Sequence, residues 1–298
     1  MLEVLLGNKP GIPPPSIWER LEDNTFYVDP SFAIAGAQGK VYFDKGNLFN
    51  VYDIATKLVS TTLKKRRPGT LAYPYGTLLS DPSGTKLYAT GAAAPPYQPE
   101  RLGSYTTYIV SSDTWSASIG GIYSTAATYF GSGVVAGIVG GLLIVVGGFL
   151  QDGTASLRTY LSDAVTDKGA LTTTDRSNNP WNADFTPSCG AVLGGYFYVL
   201  SAYAGRFMRT TDGITWSSLT VPPKIGGGCK CVVYNNKIYF YGGYFGQTIH
   251  VYNPATNSWS TLQPGGPGNV SGLVIWGSKL YVFYATQVWT AELNPEPA

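Results

Sequence analysis

The stretch GVVAGIVGGLLIVVGGFL, residues 133–150, decides the fold of this chain, because it is either one membrane-spanning helix or a pair of buried strands. It carries no charge and nearly reaches the roughly 20 apolar residues that a membrane helix needs. Residues 134–150 contain five glycines, however, and each destabilises a helix by about 1 kcal/mol relative to alanine. The valines and isoleucines favour strands, and no basic flank or aromatic belt marks either end. These residues therefore predict two strands joined by a tight turn at Gly140-Gly141.

The same pattern recurs along the chain, and its recurrence predicts the architecture. GIVGGLLIVVGG (137–148) aligns with VVYNNKIYFYGG (232–243), so that Gly140-Gly141 falls on Asn235-Asn236. Nothing in the second copy suggests a membrane, and we predict no membrane span. Counted at the residue after each turn, the unit appears at positions 40, 86, 142, 196, 237 and 279. A repeat of roughly 40 to 50 residues built from short strands is typical of a β-propeller.

A second tight turn completes most of these repeats. Trp259 follows Tyr252 by seven residues, and Tyr108 and Trp115 repeat this spacing. In each case a third strand is predicted to turn into a fourth. The repeat that carries Gly242-Gly243, Tyr252 and Trp259 resembles the kelch motif, and the other repeats keep only parts of it. The resemblance spans roughly residues 33–293. It implies a propeller fold, but no particular activity, because propellers host many unrelated functions.

Together these observations predict an all-β chain that forms a six-bladed β-propeller of four-stranded antiparallel blades. The sixth repeat ends after its third strand, at QVWTAELNPEPA (287–298), which would leave an unpaired edge. We predict that residues 24–28 supply the missing strand, so that an N-terminal strand completes the last blade and closes the ring. Residues 24–298 then form the propeller, and residues 1–23 form an extended, Pro-rich N-terminal arm.

Composition limits the functional classes. Charged residues make up 13% of the chain and the net charge is +2, which argues against a nucleic-acid partner. The N-terminus lacks the long apolar core and small-residue cleavage site of a signal peptide, so no Sec export is predicted. The three cysteines, Cys189, Cys229 and Cys231, are too few for a disulfide framework, and their spacing does not suit a zinc site. We expect the three cysteines to be small buried residues on strands.

No constellation of catalytic residues emerges from the sequence. His250 is the single histidine, which argues against a multi-histidine metal site, and we expect a hydrogen-bonded residue on a third strand. The basic run 64–67 is expected to be a solvated link between the first two blades. We therefore predict no catalytic residue, no metal and no cofactor. The acids and arginines that could serve sugar chemistry are scattered: Asp152, Asp163, Asp167, Asp175, Arg101, Arg158, Arg176, Arg206 and Arg209.

Binding residues are expected on the longer loops of the disc. In a four-stranded blade, the turns between strands one and two and between strands three and four share one face, here called the short-turn face. The remaining connections share the opposite, long-loop face, and long loops on a rigid scaffold commonly bind partners. Tyrosine and tryptophan suit such a surface because each joins a flat apolar ring to a polar group. The predicted binding residues are Tyr97, Arg101, Tyr123, Tyr129, Trp181, Tyr203, Arg206, Tyr244 and Phe245.

The N-terminal arm has two interpretations, a loosely docked tail or an anchor to a partner. Apolar residues in a Pro-rich segment are poor solubilisers but common docking groups. The predicted anchoring residues are Ile12, Pro13, Pro14, Pro15, Ile17 and Trp18.

The sequence predicts a protein used for binding or assembly rather than catalysis. A low-charge chain rich in Tyr, Gly and Thr, with a docking arm, resembles a bacteriophage virion component such as a tail, fibre or decoration protein. Its partners would be other virion proteins, through the arm, and a host surface glycan or protein. The alternative is a sugar-processing enzyme of the sialidase or sialic-acid mutarotase type, since RTTDGITW (209–216) resembles the Asp-box turn of sialidase-like propellers with one residue fewer. An intracellular adaptor is a third class.

Overall fold

All regular structure in the described part of the chain is β-strand. The structure is a computed structural model, and it describes residues 18–28, 33–44, 49–60, 77–81, 83–90, 105–116, 128–150, 159–163, 172–174, 188–201, 205–222, 228–243, 246–262 and 265–293. Within these ranges the strands form six antiparallel sheets, five with four strands and one with three.

The five four-stranded sheets follow one another along the chain, and each runs in simple sequence order. Sheet 1 contains β2 (Ala33–Ala37), β3 (Lys40–Asp44), β4 (Phe49–Asp53) and β5 (Leu58–Val59). Sheet 2 contains β6 (Thr77–Ser80), β7 (Lys86–Thr90), β8 (Tyr105–Ile109) and β9 (Thr114–Trp115). Sheet 3 contains β10 (Thr128–Val139), β11 (Leu142–Leu150), β12 (Thr159–Asp163) and β13 (Thr172–Thr174). Sheet 4 contains β14 (Cys189–Leu193), β15 (Tyr196–Ser201), β16 (Arg206–Thr210) and β17 (Ser217–Ser218). Sheet 5 contains β18 (Lys230–Tyr234), β19 (Lys237–Tyr241), β20 (His250–Asn253) and β21 (Ser258–Thr261).

The three-stranded sheet, sheet 6, joins the two ends of the described chain. Its strands are β1 (Trp18–Val28), β23 (Lys279–Glu292) and β22 (Gly272–Trp276), in that order. The prediction of six four-stranded blades is therefore wrong, because the structure has five. The reason is that β23 is one unbroken strand that pairs with β22 before Ala285, which has φ 51°, and with β1 from Ala285 onward, so that sheet 6 has three strands.

The N-terminal strand pairs with the last strand, as predicted, but it is longer than expected. The β1 register runs from Trp18 opposite Ala291 to Val28 opposite Ala285. Ser271 adds a buried hydrogen bond, since its hydroxyl donates to the Val28 carbonyl at 2.9 Å. Residues 18–23 thus lie in a sheet and not in the arm to which the sequence assigned them. The rest of the arm lies outside the described residues.

The first strands of the six sheets, β2, β6, β10, β14, β18 and β22, adjoin one another in a closed cycle. The buried side chains lie between neighbouring sheets. Between sheets 4 and 5, for example, the ring centroids of Phe207 and Tyr252 are 4.7 Å apart, and those of Phe207 and Phe240 are 5.7 Å apart. The hydrophobic core is therefore a ring of aromatic and aliphatic layers around a central channel.

The apolar stretch 133–150 lies in β10 and β11, which pair from Val139 opposite Leu142 outward. The turn between them has Gly140 at φ 57° and Gly141 at φ 86°, the left-handed conformation that tight hairpins require. The predicted hairpin is confirmed. Among the described residues, no helix has the length and apolar character needed to span a membrane.

The residues behind the kelch resemblance hold the turn between β20 and β21. The Tyr252 hydroxyl donates to Asn257 Oδ1 at 2.9 Å, and the Trp259 indole N–H donates at 3.0 Å to the carbonyl of Thr220, two residues after the last strand of sheet 4. Sheet 2 repeats the first bond, from the Tyr108 hydroxyl to Asp113 Oδ1 at 2.5 Å. The Tyr and Trp of this spacing therefore fix a turn and link neighbouring sheets.

Candidate binding site

The central channel is lined by the first strand of every sheet. Near the starts of most of these strands, they enclose a cavity of about 210 Å³. Its lining combines small side chains, such as those of Ala33 and Ala136, with larger aliphatic ones and with polar groups that include Thr77 and Lys230. Because a blade widens outward from its first strand, the small residues among them let six strands approach one axis.

The channel widens at the short-turn face into a second cavity, of about 690 Å³. Its lining includes the turn of sheet 1, with Gln38 and Lys40, the turn of sheet 2, with Ser83, and the end of β22, with Trp276. Gln38, Lys40 and Ser83 are exposed, and Trp276 is 49% exposed. We call these four side chains the channel mouth. It combines a large indole with amide, ammonium and hydroxyl groups around one opening.

Trp276 is positioned by the closure of the ring. It is the last residue of β22, and Gly39 lies in the first turn of the neighbouring sheet 1. A Cβ atom at Gly39 would come within 3.2 Å of Trp276 Cη2 and Cζ2, and Gly39 has φ 75°. Glycine at this position therefore leaves room for the outer edge of the indole ring against the backbone of the turn.

The carboxylates nearest this face are engaged in holding turns. Asp53 Oδ1 accepts the N–H groups of Ala55 and Thr56, each at 3.0 Å, and hydrogen bonding from Thr56 is the main reason why its pKa is lowered. Asp81, which lines the mouth cavity, accepts the Lys86 N–H at 2.9 Å and a hydroxyl bond from Ser83. Burial would raise the pKa of Asp81, but these hydrogen bonds outweigh it and lower the pKa.

The Asp-box-like turn of sheet 4 is stabilised in the same way. Asp212 Oδ1 accepts the N–H groups of Ile214 and Thr215, at 2.8 Å and 2.7 Å. Burial would raise the pKa of Asp212, and the bonds from Thr215 and Ile214 lower it. The Thr210 hydroxyl also donates to Asp212 Oδ1 at 3.0 Å. The acid of this motif is thus a structural cap for the turn between β16 and β17.

Large apolar side chains are exposed at other turns of the same face. Leu58, at the turn into β5, is 67% exposed, and Ile214, at the turn into β17, is 58% exposed. Ile109, at the end of β8, is 38% exposed. None of these three lines the mouth cavity, and Ile214 serves below as the control for Trp276.

His250 and Arg209 occupy the strands that the sequence suggested. His250 begins β20, as predicted, but its Nδ1 is buried without a hydrogen-bond partner, so the expectation of a fully hydrogen-bonded histidine is wrong. Burial lowers its pKa. The Arg209 guanidinium lies 4.3 Å from the centre of the Tyr196 ring, within one sheet and not at the channel mouth. Among the described residues, no group of three or more His, Cys, Asp or Glu side chains is suited to a metal ion.

Most of the predicted binding residues lie outside the described residues, so the structure does not test whether they lie near one another. Arg206 begins β16 and is half-buried, and it lines a separate cavity of about 500 Å³ with Val221. Tyr129 lies in β10, and Trp18 is the first residue of β1, opposite Ala291. The remaining predicted binding and anchoring residues lie outside the described residues: Tyr97, Arg101, Tyr123, Trp181, Tyr203, Tyr244, Phe245, Ile12, Pro13, Pro14, Pro15 and Ile17. The other scattered candidates with no described side chain are Asp152, Asp163, Asp167, Asp175, Arg158, Arg176 and the run 64–67.

Radial antiparallel sheets whose first strands close around a channel define a β-propeller. Within this class, residues 227–266 match the Kelch_2 family, the kelch motif, and the chain is a kelch-like β-propeller. The match covers the end of the link before β18, all of sheet 5 and the start of the next link. It includes Gly242-Gly243, Tyr252 and Trp259, so the resemblance stated from the sequence is confirmed.

Two solved structures share this fold. One is the structure of YjhT, with a TM-score of 0.66 and 14% identity over 90% of this chain and 92% of that chain. The other is a fungal alcohol oxidase of the AA5 family in complex with copper, with a TM-score of 0.57 and 14% identity over 88% of this chain and 62% of that chain. Identities this low show the fold alone. No curated protein sequence matches the chain.

Proposed function

We propose that this propeller is a non-enzymatic binding protein and that it binds a glycan at the channel mouth. The observation that carries the proposal is Trp276, an indole left 49% exposed at the rim of a cavity of about 690 Å³. Ligand pockets are typically concave and lined by apolar and aromatic side chains with a few polar groups, and Trp276 supplies such an aromatic surface at the edge of this cavity.

The chemistry of the mouth matches a sugar ring. One face of a pyranose carries C–H groups that pack on an aromatic plane, and its edge carries hydroxyls that need hydrogen-bond partners. Trp276 offers the aromatic surface. Gln38 and Lys40 are exposed on the neighbouring turn and offer amide and ammonium groups. The cavity volume also falls within the range of roughly 300–1,000 Å³ that is usual for ligand sites.

The carboxylates around this face support binding without turnover. A glycosidase needs a protonated acid and a second carboxylate on either side of one bond. Asp81 is the one carboxylate among the described residues that line the mouth, and it is lowered in pKa and bonded to its own turn. The competing proposal, a sialidase-like or mutarotase-like enzyme, needs arginines there as well, and the described lining contributes none.

Binding to an array of immobilised glycans, followed by titration calorimetry with each positive sugar, tests this proposal. Trp276→Ala should weaken the affinity at least tenfold, whereas Ile214→Ala, an exposed residue of the same face, should leave it unchanged. Proton NMR of the positive sugar mixed with the protein should show no new anomer ratio and no product. An unchanged glycan affinity in Trp276→Ala would refute the site. Conversion of the sugar would favour the competing proposal of an enzyme.

We further propose that the protein is a bacteriophage virion component attached through the segment before β1. The composition and the Pro-rich arm support this role. Since β1 begins at Trp18, the informative truncation removes residues 1–17 and keeps the strand that closes sheet 6. The truncated protein should keep the circular dichroism spectrum of the full chain but be absent from purified particles. Incorporation of the truncated protein would contradict the anchor, and the absence of tail and capsid genes around its own gene would contradict the virion role.

We also propose that sheet 6 serves as the sixth blade. The Leu293 N–H donates to the Ser278 carbonyl at 3.0 Å, so the two ends of β23 lie side by side and the strand folds back near Ala285. With β22 and β1, this arrangement gives four extended segments. Hydrogen exchange should show amides 287–292 as protected as those of the third strands in sheets 4 and 5. Rapid exchange there would count against a sixth blade.

A further inference from the structure

The three cysteines of the chain converge on one side of the channel, although sequence reasoning treated them as separate small residues. Cys189 Sγ lies 3.4 Å from Cys229 Sγ, and the two residues are 40 positions apart. Cys189 begins β14, and Cys229 immediately precedes β18, so the contact joins sheets 4 and 5 at their first strands. Cys231, two residues further on, also interacts with the Cys189 thiol.

We propose that Cys189 and Cys229 are an oxidation site and that they close to a disulfide bond between sheets 4 and 5. A disulfide needs a sulfur–sulfur distance of about 2.05 Å, so the sulfurs must approach by roughly 1.4 Å, which side-chain rotation and small strand shifts can supply. Both thiols are buried among apolar side chains that include Ile238 and Phe240. Each thiol therefore has the other within reach as a reaction partner.

The channel gives a small oxidant access to this pair. Cys189 and Cys231 line the channel cavity of about 210 Å³, whereas Cys229 is fully buried. Hydrogen peroxide would convert the Cys189 thiol to a sulfenic acid: its O–O bond breaks, one oxygen is bonded to the sulfur and the other leaves as water. The Cys229 sulfur then attacks the Cys189 sulfur, so that the S–S bond forms, the S–O bond breaks and a second water leaves. Two thiols and one hydrogen peroxide thus give one disulfide and two waters.

The reaction should be slow at neutral pH and faster in mild alkali. Thiolates and not thiols are the nucleophiles in both steps. Burial, followed by its contacts with Cys229 and Cys231, raises the pKa of Cys189 well above the usual value for a thiol. The pair therefore resists adventitious oxidation and closes only under sustained exposure to an oxidant.

Peptide mapping distinguishes this disulfide from the two alternatives, because Lys230 separates Cys229 from Cys231. Complete tryptic cleavage places Cys189 in residues 177–206, Cys229 in 225–230 and Cys231 in 231–237. After treatment of the folded chain with hydrogen peroxide and alkylation of the remaining thiols, segment 177–206 should be linked to 225–230. Free thiols should fall from the three of the reduced chain to one, located in 231–237.

Two variants complete the test. Cys231→Ser should lose both remaining thiols under the same treatment and give the same linked peptides. Cys189→Ser should give no intrachain link. A link between 177–206 and 231–237, a link between 225–230 and 231–237, or only intermolecular links would overturn the assignment. So would three intact thiols after an exposure that oxidises the urea-unfolded chain. Should Cys189→Ser fail to fold, the peptide map of Cys231→Ser still decides.

Discussion

Replacing Gly242 with alanine tests how closely neighbouring sheets approach behind the kelch double glycine. Gly242 follows β19 with φ 79°, and a Cβ atom there would overlap the Cγ1 methyl of Val270. Val270 is buried and precedes β22, the first strand of sheet 6. The substitution thus adds a methyl group where sheets 5 and 6 are already in contact.

Two separate costs are expected. Placing a residue with a Cβ in the left-handed region costs about 1–2 kcal/mol. Forcing an extra methyl into a packed core costs typically 1–3 kcal/mol more, so Gly242→Ala should destabilise the chain by about 2–5 kcal/mol. Gly195 is the matched control, because its φ of 77° is nearly the same and nothing lies within 4 Å of its virtual Cβ. Gly195→Ala should therefore cost only the first term, about 1–2 kcal/mol.

Equilibrium unfolding in urea, followed by tryptophan fluorescence, measures both variants. Their m-values should match that of the parent chain, so that the midpoints report stability. Val270→Ala should cost less in the Gly242→Ala background than in the parent, because it removes the methyl group that the new Cβ meets. Equal losses for Gly242→Ala and Gly195→Ala, or strictly additive losses for Gly242→Ala and Val270→Ala, would refute the close approach.

Three further outcomes are expected. Ser271→Ala leaves the buried Val28 carbonyl without its donor and should lower the unfolding free energy by about 1–3 kcal/mol in urea titrations, whereas an unchanged midpoint would contradict the closure bond. Since the folded pKa of Asp212 is lowered, its contribution to stability is present above the unfolded pKa and is lost as pH falls through the folded pKa. Asp212→Asn should therefore reduce the loss of stability measured by urea unfolding below about pH 4, and an unchanged pH slope would contradict the cap. Trp259→Phe keeps the ring packing but loses the N–H bond to Thr220, for a cost of about 0.5–1.5 kcal/mol by the same titration; no loss would show that this bond is immaterial.

The parts of the fold that the sequence predicts are those fixed by local conformation. Asn235 and Asn236 have φ of 45° and 56°, and Gly140 has φ of 57°. Few residue types tolerate that region, so the turn dipeptides stand out between apolar runs and locate the first two strands of most sheets. The seven-residue step from Tyr252 to Trp259 is equally local, because the turn between them is held by Asn257.

The length of β1 could not be obtained in this way. Its first half, WERLED, carries four charged residues and has no alternating apolar pattern. An edge strand tolerates such a sequence, because one of its sides faces solvent and charge there discourages pairing with other molecules. Glu19 and Arg20 are indeed exposed although both are paired with β23. Only the partner strand, more than 250 residues away, shows that this segment is part of a sheet.

The channel mouth was missed for a related reason. Sequence reasoning favours long loops as binding sites, whereas Trp276 lies beside a turn of only two residues. The sequence did carry one signal, the position of Trp276 directly before the turn between the first two strands of its sheet. A tryptophan is larger than the side chains at the same position in four other sheets, which are Ala37, Val139, Leu193 and Tyr234. The thiol pair was hidden likewise, because two cysteines 40 residues apart meet only when adjacent sheets bring their first strands together.

Both sites therefore follow from the closed ring and not from any one repeat. In a ring, residues at equivalent distances from their turns come to similar depths along the channel, whatever their separation in sequence. Trp276, in the last repeat, reaches Gly39, in the first, because β22 adjoins β2. Within sheet 6, β1 pairs with β23, and the Val28 carbonyl accepts the bond from Ser271. The chain continues from β1 to β2, so the strand that completes sheet 6 also connects the sheet of Trp276 to the sheet of Gly39.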